Sequence, residues 1–265
     1  MSVDLQHISS LSELLLTRLD VGWTFLLLAT RYMVFFMLIP GLGAGMQGVA
    51  LRYPASIVLA FVSLNLEHTA PVPTDMLAMT TQMISEVMLG GLIALVPLMI
   101  VAGAQTAGHL ASGTMGLNGA QMFDPATSAP LSDLARIYSD FAIVVFLLIG
   151  GHHIAIGALA GLDATVLPGS FVLSAAGLEA VLQQSGRIFQ IGCLIAAPVV
   201  VALLLTNFVM GLISKAVPTV NIFIMSFPLT IGIGFAISIL AMPEVARYLT
   251  REFERLPDVI VAVLS

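Results

Sequence analysis

This sequence is short of charge. Only 9% of its 265 residues are Asp, Glu, Lys or Arg, where soluble domains carry roughly 25%. A water-soluble fold of this length would lack the polar surface to cover itself, so that class is excluded. Lysine occurs once, at Lys215, and tryptophan once, at Trp23. The net charge is −6, and there is no basic cluster to meet phosphates, which argues against a nucleic-acid partner. Cysteine also occurs once. Cys193 has no mate for an internal disulfide, and it lies in an apolar run where packing is its expected role. The first twenty residues carry Asp4, Glu13, Arg18 and Asp20. Without a basic n-region before an apolar core, no cleavable signal peptide is expected.

Signatures of catalysis are missing as well. There is no Gly-x-x-x-x-Gly-Lys-Ser/Thr phosphate loop, no His-Glu-x-x-His zinc helix and no cysteine pair. There is no Gly-x-Ser-x-Gly nucleophile elbow. His152 and His153 are adjacent, and on a helix of 3.6 residues per turn they point about 100° apart, a poor arrangement for one ion. His109 is expected in a loop. No enzymatic activity, cofactor or metal is expected.

What is present is apolar. Hydrophobic residues make up 58% of the chain and the mean hydropathy is +1.05. Six runs near the roughly 20 residues needed to cross a bilayer predict an all-α polytopic membrane protein with about six long apolar helices. They are Trp23 to Pro40, Ala50 to Leu66, Met76 to Gly103, Ile137 to Leu162, Arg187 to Ser214 and Ile222 to Met242. An amphipathic lead-in precedes them, with Ile8, Leu11, Leu14, Leu15 and Leu19 at near-helical spacing. A charged amphipathic tail follows from Pro243. Long connections are expected at about 104–136 and 163–186. Arg31, Glu86 and Asp140 fall in the apolar runs. A charge in lipid costs about 2.5–3.5 kcal/mol even on the lenient insertion scale, so each is expected to face protein or water, in a structural pair or a contact to a neighbouring subunit, the alternative being a proton or ion path.

The last two runs are separated by a short polar break around Lys215. Pro218 has no N–H and disfavours helix at Val217, so the incoming helix is expected to end about there. Asn221 can cap the next helix, and the expected product is a tight hairpin. Pro228 then lies inside the second helix as a kink candidate. Gly232 and Gly234 would allow a neighbour to approach closely.

This stretch resembles the FliR family of flagellar type III export-gate proteins, which has a homologue in virulence injectisomes. The residues that carry the resemblance are Gly211, Lys215, Pro218, Asn221, Phe223, Phe227, Pro228, Leu229 and Gly234. The family usually has arginine at the position of Lys215. Supporting matches are the Arg31-x-x-x-Phe35 run with Pro40, the Phe123-Asp124-Pro125 loop and Gly150-Gly151-His152. The resemblance implies a FliP-like part over 1–185 and a FliQ-like hairpin with its tail over 186–265. It implies FliP-like and FliQ-like partner subunits, an FlhB-like protein docking at an entrance formed by Lys215, Pro218, Asn221 and Phe223, and unfolded export substrates. It places the protein in the bacterial inner membrane, surrounded by lipid, in the flagellar basal body. Close packing is the role it implies for Gly150 and Gly151.

The segment Gly113 to Pro130 reads as a plug for the pore, the alternative being a flexible connector whose apolar residues touch neighbouring helices. Glycines at 113, 116 and 119 give it freedom to move. Met115, Leu117, Met122 and Phe123 supply an adaptable apolar seal, methionine being unbranched and able to re-pack. The resemblance implies a pore-closing loop at the same place. The expected function is a non-enzymatic subunit of the export gate. The alternative is a secondary transporter or ion channel, although the proline-broken helices show no matching halves of the kind transporters use.

Overall fold

The computed structural model describes residues 5–41, 46–64, 69–117, 133–160, 166–216 and 222–265. All regular structure among them is helical. The helices are α1 (Leu5–Leu38), α2 (Met46–Val62), α3 (Met76–Met115), α4 (Asp133–Leu148), α5 (Gly151–Leu159), α6 (Ala175–Ala216), α7 (Ile222–Glu254) and α8 (Leu256–Leu264).

Among the described residues, five of the six apolar runs each lie largely in one helix and the fourth is divided between two. Leu19–Leu38, Met76–Met115, Ala175–Ala216 and Ser226–Leu264 are long and apolar enough to cross a bilayer. The fourth run forms an interrupted pair, α4 and α5, bent by 67° at the break, with the length and composition of a broken span or a re-entrant loop, and Ala50–Val62 is a shorter apolar helix. Prolines do not end these helices: Pro54, Pro97, Pro198, Pro228 and Pro243 all lie inside them. In a span, neighbouring helices and local adjustment can satisfy the carbonyl that a proline frees.

Two connections are shorter than the hydropathy suggests. The helix expected to end near Gly103 continues to Met115, so His109 and Gly113 are helical and not in a loop. The connection expected over 163–186 ends at Ala175, where α6 begins. Both misplacements have one cause. Polar and small residues such as Gln105, Thr106, Gln183 and Gln184 lower hydropathy without breaking a helix, and α3 and α6 continue past their apolar stretches. At 1.5 Å per residue, the 40 residues of α3 span about 60 Å, twice a hydrocarbon core of about 30 Å.

The chain divides into two compact units. One comprises Met1–Val96, His152–Ala180 and Pro257–Ser265, and the other Pro97–Gly151 and Val181–Leu256. They interleave along the sequence, and the division expected near residue 185 falls inside α6.

In the first unit α1 packs along α2, with Leu27, Leu28, Tyr32, Phe35 and Phe36 buried. The crossing of α1 and α3 is unusually tight at Gly90, where a Cβ would overlap the Arg31 backbone carbonyl. The stretch before α3 is pinned to α1. The Ala70 N–H donates to Thr24 Oγ1 at 2.8 Å and the Val72 N–H to Asp20 Oδ1 at 2.8 Å. Trp23 Nε1 donates to Gln82 Oε1 at 2.7 Å.

In the second unit small residues let α3 meet three helices in succession. Gly103 faces Ile191 of α6 and Gly192 of α6 faces Thr106; a Cβ at either would come within 2.8 Å of the neighbouring side chain. Gly108 lies against the backbone of Ala135 on α4. Farther along, Met115 meets α7. Helix α4 also packs on α7, where the Phe146 and Phe253 ring centroids are 5.3 Å apart.

Candidate functional site

The end of α3 has a defined cap. Gly116 adopts φ 83°; its N–H donates to Gly113 O at 3.2 Å, and the Leu117 N–H donates to Ser112 O at 3.1 Å. This is the six-to-one and five-to-two pairing of a Schellman motif, in which a left-handed residue, usually glycine, satisfies the last carbonyls. Gly116 therefore terminates a helix, where the sequence suggested a loop free to swing.

The cap is seated on α7. Met115 is fully buried, 1% exposed, and its side chain covers Gly234, which has no room for a Cβ. Thr230 Oγ1 reaches the Met115 carbonyl at 3.1 Å as well as its own helix at Ser226 and Phe227. A Cβ at Gly116 would lie 3.1 Å from the Phe227 ring. Phe227, Thr230 and Gly234 are spaced i, i+3 and i+7, so they share one face of α7. Burying a methionine side chain contributes about 1.5–3 kcal/mol. The structure thus joins two groups of residues that the sequence singled out separately, Met115 and Gly116 with Gly234. Thr230 was missed; its signal was the shared helical face with Phe227 and Gly234.

The other predicted site residues are distributed as follows. Gly113 is exposed in the last turn of α3 and Leu117 is half-buried in the turn after it. Gly119, Met122 and Phe123 lie outside the described residues, as do Pro218 and Asn221. Lys215 is exposed in the last turn of α6, where a cation opposes the negative end of the helix dipole. Phe223 lies in the first turn of α7. Pro228 and Gly232 are exposed, with nothing within 4 Å of a Cβ at Gly232. Gly150 closes α4 with φ 73°, and Gly151 is buried where a Cβ would meet the Phe146 ring at 2.5 Å.

Of the charges in apolar runs, Arg31 and Glu86 pair with each other. Arg31 Nη2 donates to Glu86 Oε1 at 3.0 Å and Arg31 Nε to Glu86 Oε2 at 2.5 Å. Both side chains are almost wholly buried. The Gly169 N–H also donates to Glu86 Oε1 at 2.5 Å, and Arg31 Nη1 reaches Leu159 O at 3.4 Å. Glu86 lies one turn before Gly90, so the tight crossing at Gly90 brings the two side chains together. A bidentate pair with further hydrogen bonds is the form in which buried charge is tolerated. Asp140 is exposed and 3.9 Å from Arg136. Among the described residues no group of three or more His, Cys, Asp or Glu side chains could hold a metal ion.

A sequence model of the family described as "Bacterial export proteins, family 1" matches residues 22–256. The chain belongs to this family. Relatives include the flagellar biosynthetic protein FliR of Escherichia coli (strain K12), 30% identical over 164 residues, 62% of this chain and 63% of that protein. FliR of Caulobacter vibrioides is 24% identical over 236 residues, covering 88% of this chain and 94% of that one. The Yop proteins translocation protein T of Yersinia pestis is 25% identical over 215 residues, 80% of this chain and 82% of its own length. In this member of the bacterial export proteins, family 1, the matched region takes in the Arg31–Glu86 pair and the α3–α7 junction.

Proposed function

We propose that this chain is a non-enzymatic subunit of a bacterial type III protein-export gate, set in the inner membrane at the flagellar basal body. The family match over residues 22–256 carries this reading, supported by relatives named for flagellar biosynthesis and for Yop translocation. The several apolar helices fit a membrane-embedded component. The likeness of the stretch around Lys215 and Pro228 to the flagellar family favours the flagellum.

In this reading the chain forms part of the pore for unfolded flagellar substrates together with FliP-like and FliQ-like subunits. The segment leaving α3, about 113–130, helps to close the pore. The hairpin around Lys215, Pro218, Asn221 and Phe223 receives an FlhB-like protein at the entrance. The arrangement of α3 supports a division of labour. Met115 and Gly116 hold the root of the segment against α7, leaving Met122 and Phe123 as the sealing residues.

The experiment is co-expression with FliP-like and FliQ-like subunits, followed by purification on a tag carried by one of them. The expected result is a complex containing this chain, and a strain lacking the chain neither exports flagellar subunits nor swims. Recovery of a stable monomer that ignores both subunits would overturn the proposal.

A further inference from the structure

We propose that Thr230 is the positioning residue for the pore-closing segment, a latch whose hydroxyl ties the end of α3 to α7 and can release it without being left unpaired. That the latch serves the pore rests on the export-gate proposal; the tether itself does not. The need for a tether starts at the end of α3. The last four carbonyls of a helix have no partner within it. Here the Gly116 and Leu117 amides turn back to Gly113 O and Ser112 O, so α3 has no amide left for the carbonyl of Met115. Met115 is buried, and a buried carbonyl without a donor is costly. The Thr230 hydroxyl supplies that donor from α7, at 3.1 Å.

The contact is reversible because Thr230 has one proton and three acceptors. A hydroxyl donates once. Besides Met115 O, Thr230 Oγ1 lies 3.0 Å from Ser226 O and 3.2 Å from Phe227 O on its own helix. Thr230 is itself buried, 5% exposed, so a hydroxyl with no second acceptor would oppose any departure of α3. With the two α7 carbonyls in range, the proton swings from one acceptor to another and the rotamer stays as it is. A bond back to its own helix is one that a helical threonine commonly makes. Release then leaves α7 satisfied and strands only the Met115 carbonyl, which departs with the segment.

The apolar contact beside the hydroxyl is built the same way. Met115 is unbranched and lies over Gly234, which has no side chain to interlock with it. Ser238, one turn farther along α7, supplies the contrast. It is buried too, but its hydroxyl donates to Gly234 O at 2.8 Å, within α7 and not across to α3. Thr230 and Ser238 are both buried hydroxyls bonded back to α7, and Thr230 is the one that also reaches α3.

The test uses the full chain in its co-expressed complex. Thr230→Val and Thr230→Ala remove the hydroxyl, Thr230→Ser keeps it, and Ser238→Ala controls for the loss of a buried hydroxyl elsewhere on α7. Hydrogen exchange of the Gly116 and Leu117 amides reports the end of α3. It is expected to quicken by up to about tenfold in Thr230→Val and Thr230→Ala, and to keep the parent's rate in Thr230→Ser and Ser238→Ala. In cells carrying the assembled gate, uptake of a normally excluded solute is expected to rise in the same two variants. Parental exchange in both Thr230→Val and Thr230→Ala would overturn the latch, and so would exchange in Thr230→Ser as fast as theirs. Fast exchange in a gate as tight as the parent would overturn its role in closing the pore. The Gly116 to Gln121 deletion separates this from the plug itself. A leaking deletion beside tight, slowly exchanging Thr230 variants would leave the plug standing and remove the latch. A tight deletion would remove the plug and the latch's use, and exchange would still decide whether Thr230 holds α3.

Discussion

Met115 covers Gly234 so closely that the glycine has no room for a side chain. Gly234→Ala is therefore expected to expel the methionine end and destabilise the complex by about 1–3 kcal/mol through overpacking. Met115→Ala in the same chain removes the clash and is expected to recover part of the loss. Thermal unfolding of the four variants of the cycle measures this. A double variant no better than Gly234→Ala alone would show that the two side chains are not coupled.

Gly116 is required for its backbone angle. At φ 83° any residue with a Cβ is strained by roughly 1–2 kcal/mol. Gly116→Ala is expected to lower stability by about that amount, more than Gly113→Ala one turn earlier, where helix propensity favours alanine. Comparing the two melting temperatures checks it; equal effects would remove the cap from the account.

Breaking the buried pair of Arg31 and Glu86 leaves one charge stranded. Arg31→Met or Glu86→Met alone is expected to cost about 3–5 kcal/mol, and the Arg31→Met/Glu86→Met variant less than the sum of its singles. The readout is the yield of folded complex and its thermal stability. Additive losses would mean that the two residues act independently.

Lys215→Glu reverses the charge at an exposed helix end. Folding is expected to change by no more than about 1 kcal/mol, through the helix dipole. Recovery of the FlhB-like protein with the complex, and motility, are expected to fall. A fully motile strain with normal recovery would remove Lys215 from partner docking. A separate substitution, Asn221→Ala, is expected to lose about 1 kcal/mol of local stability if its side chain caps α7.

Deleting Gly116 to Gln121 tests the plug reading. The deletion removes the helix cap together with part of the following segment. The expected outcome is an assembled gate that leaks, measured as membrane conductance or uptake of a normally excluded solute. An assembled mutant as tight as the parent would reduce the segment to a connector.

The class of this protein was legible in its composition, and the positions of its helices in its hydropathy. Six apolar runs became helices because the tendency to be buried away from water adds up residue by residue along a segment. The family followed in the same way, from a local string of residues around Lys215 and Pro228. Helix ends were less legible. Gly116 looked like one of several loop glycines, and its positive φ with the pairing of Leu117 to Ser112 marks it as the residue that closes α3.

The sequence alone established that Arg31 and Glu86 needed partners, because an unpaired charge in an apolar run is too costly to leave. It did not establish that they answer each other. That depended on α1 and α3 crossing at Gly90, and on Gly169 and Leu159 arriving from elsewhere in the chain. Likewise the sequence singled out Met115 and Gly234 separately, and only the fold shows that they meet. Burial tendency is a property of a segment, while pairing is a property of which turns meet, and only the tertiary structure decided the second.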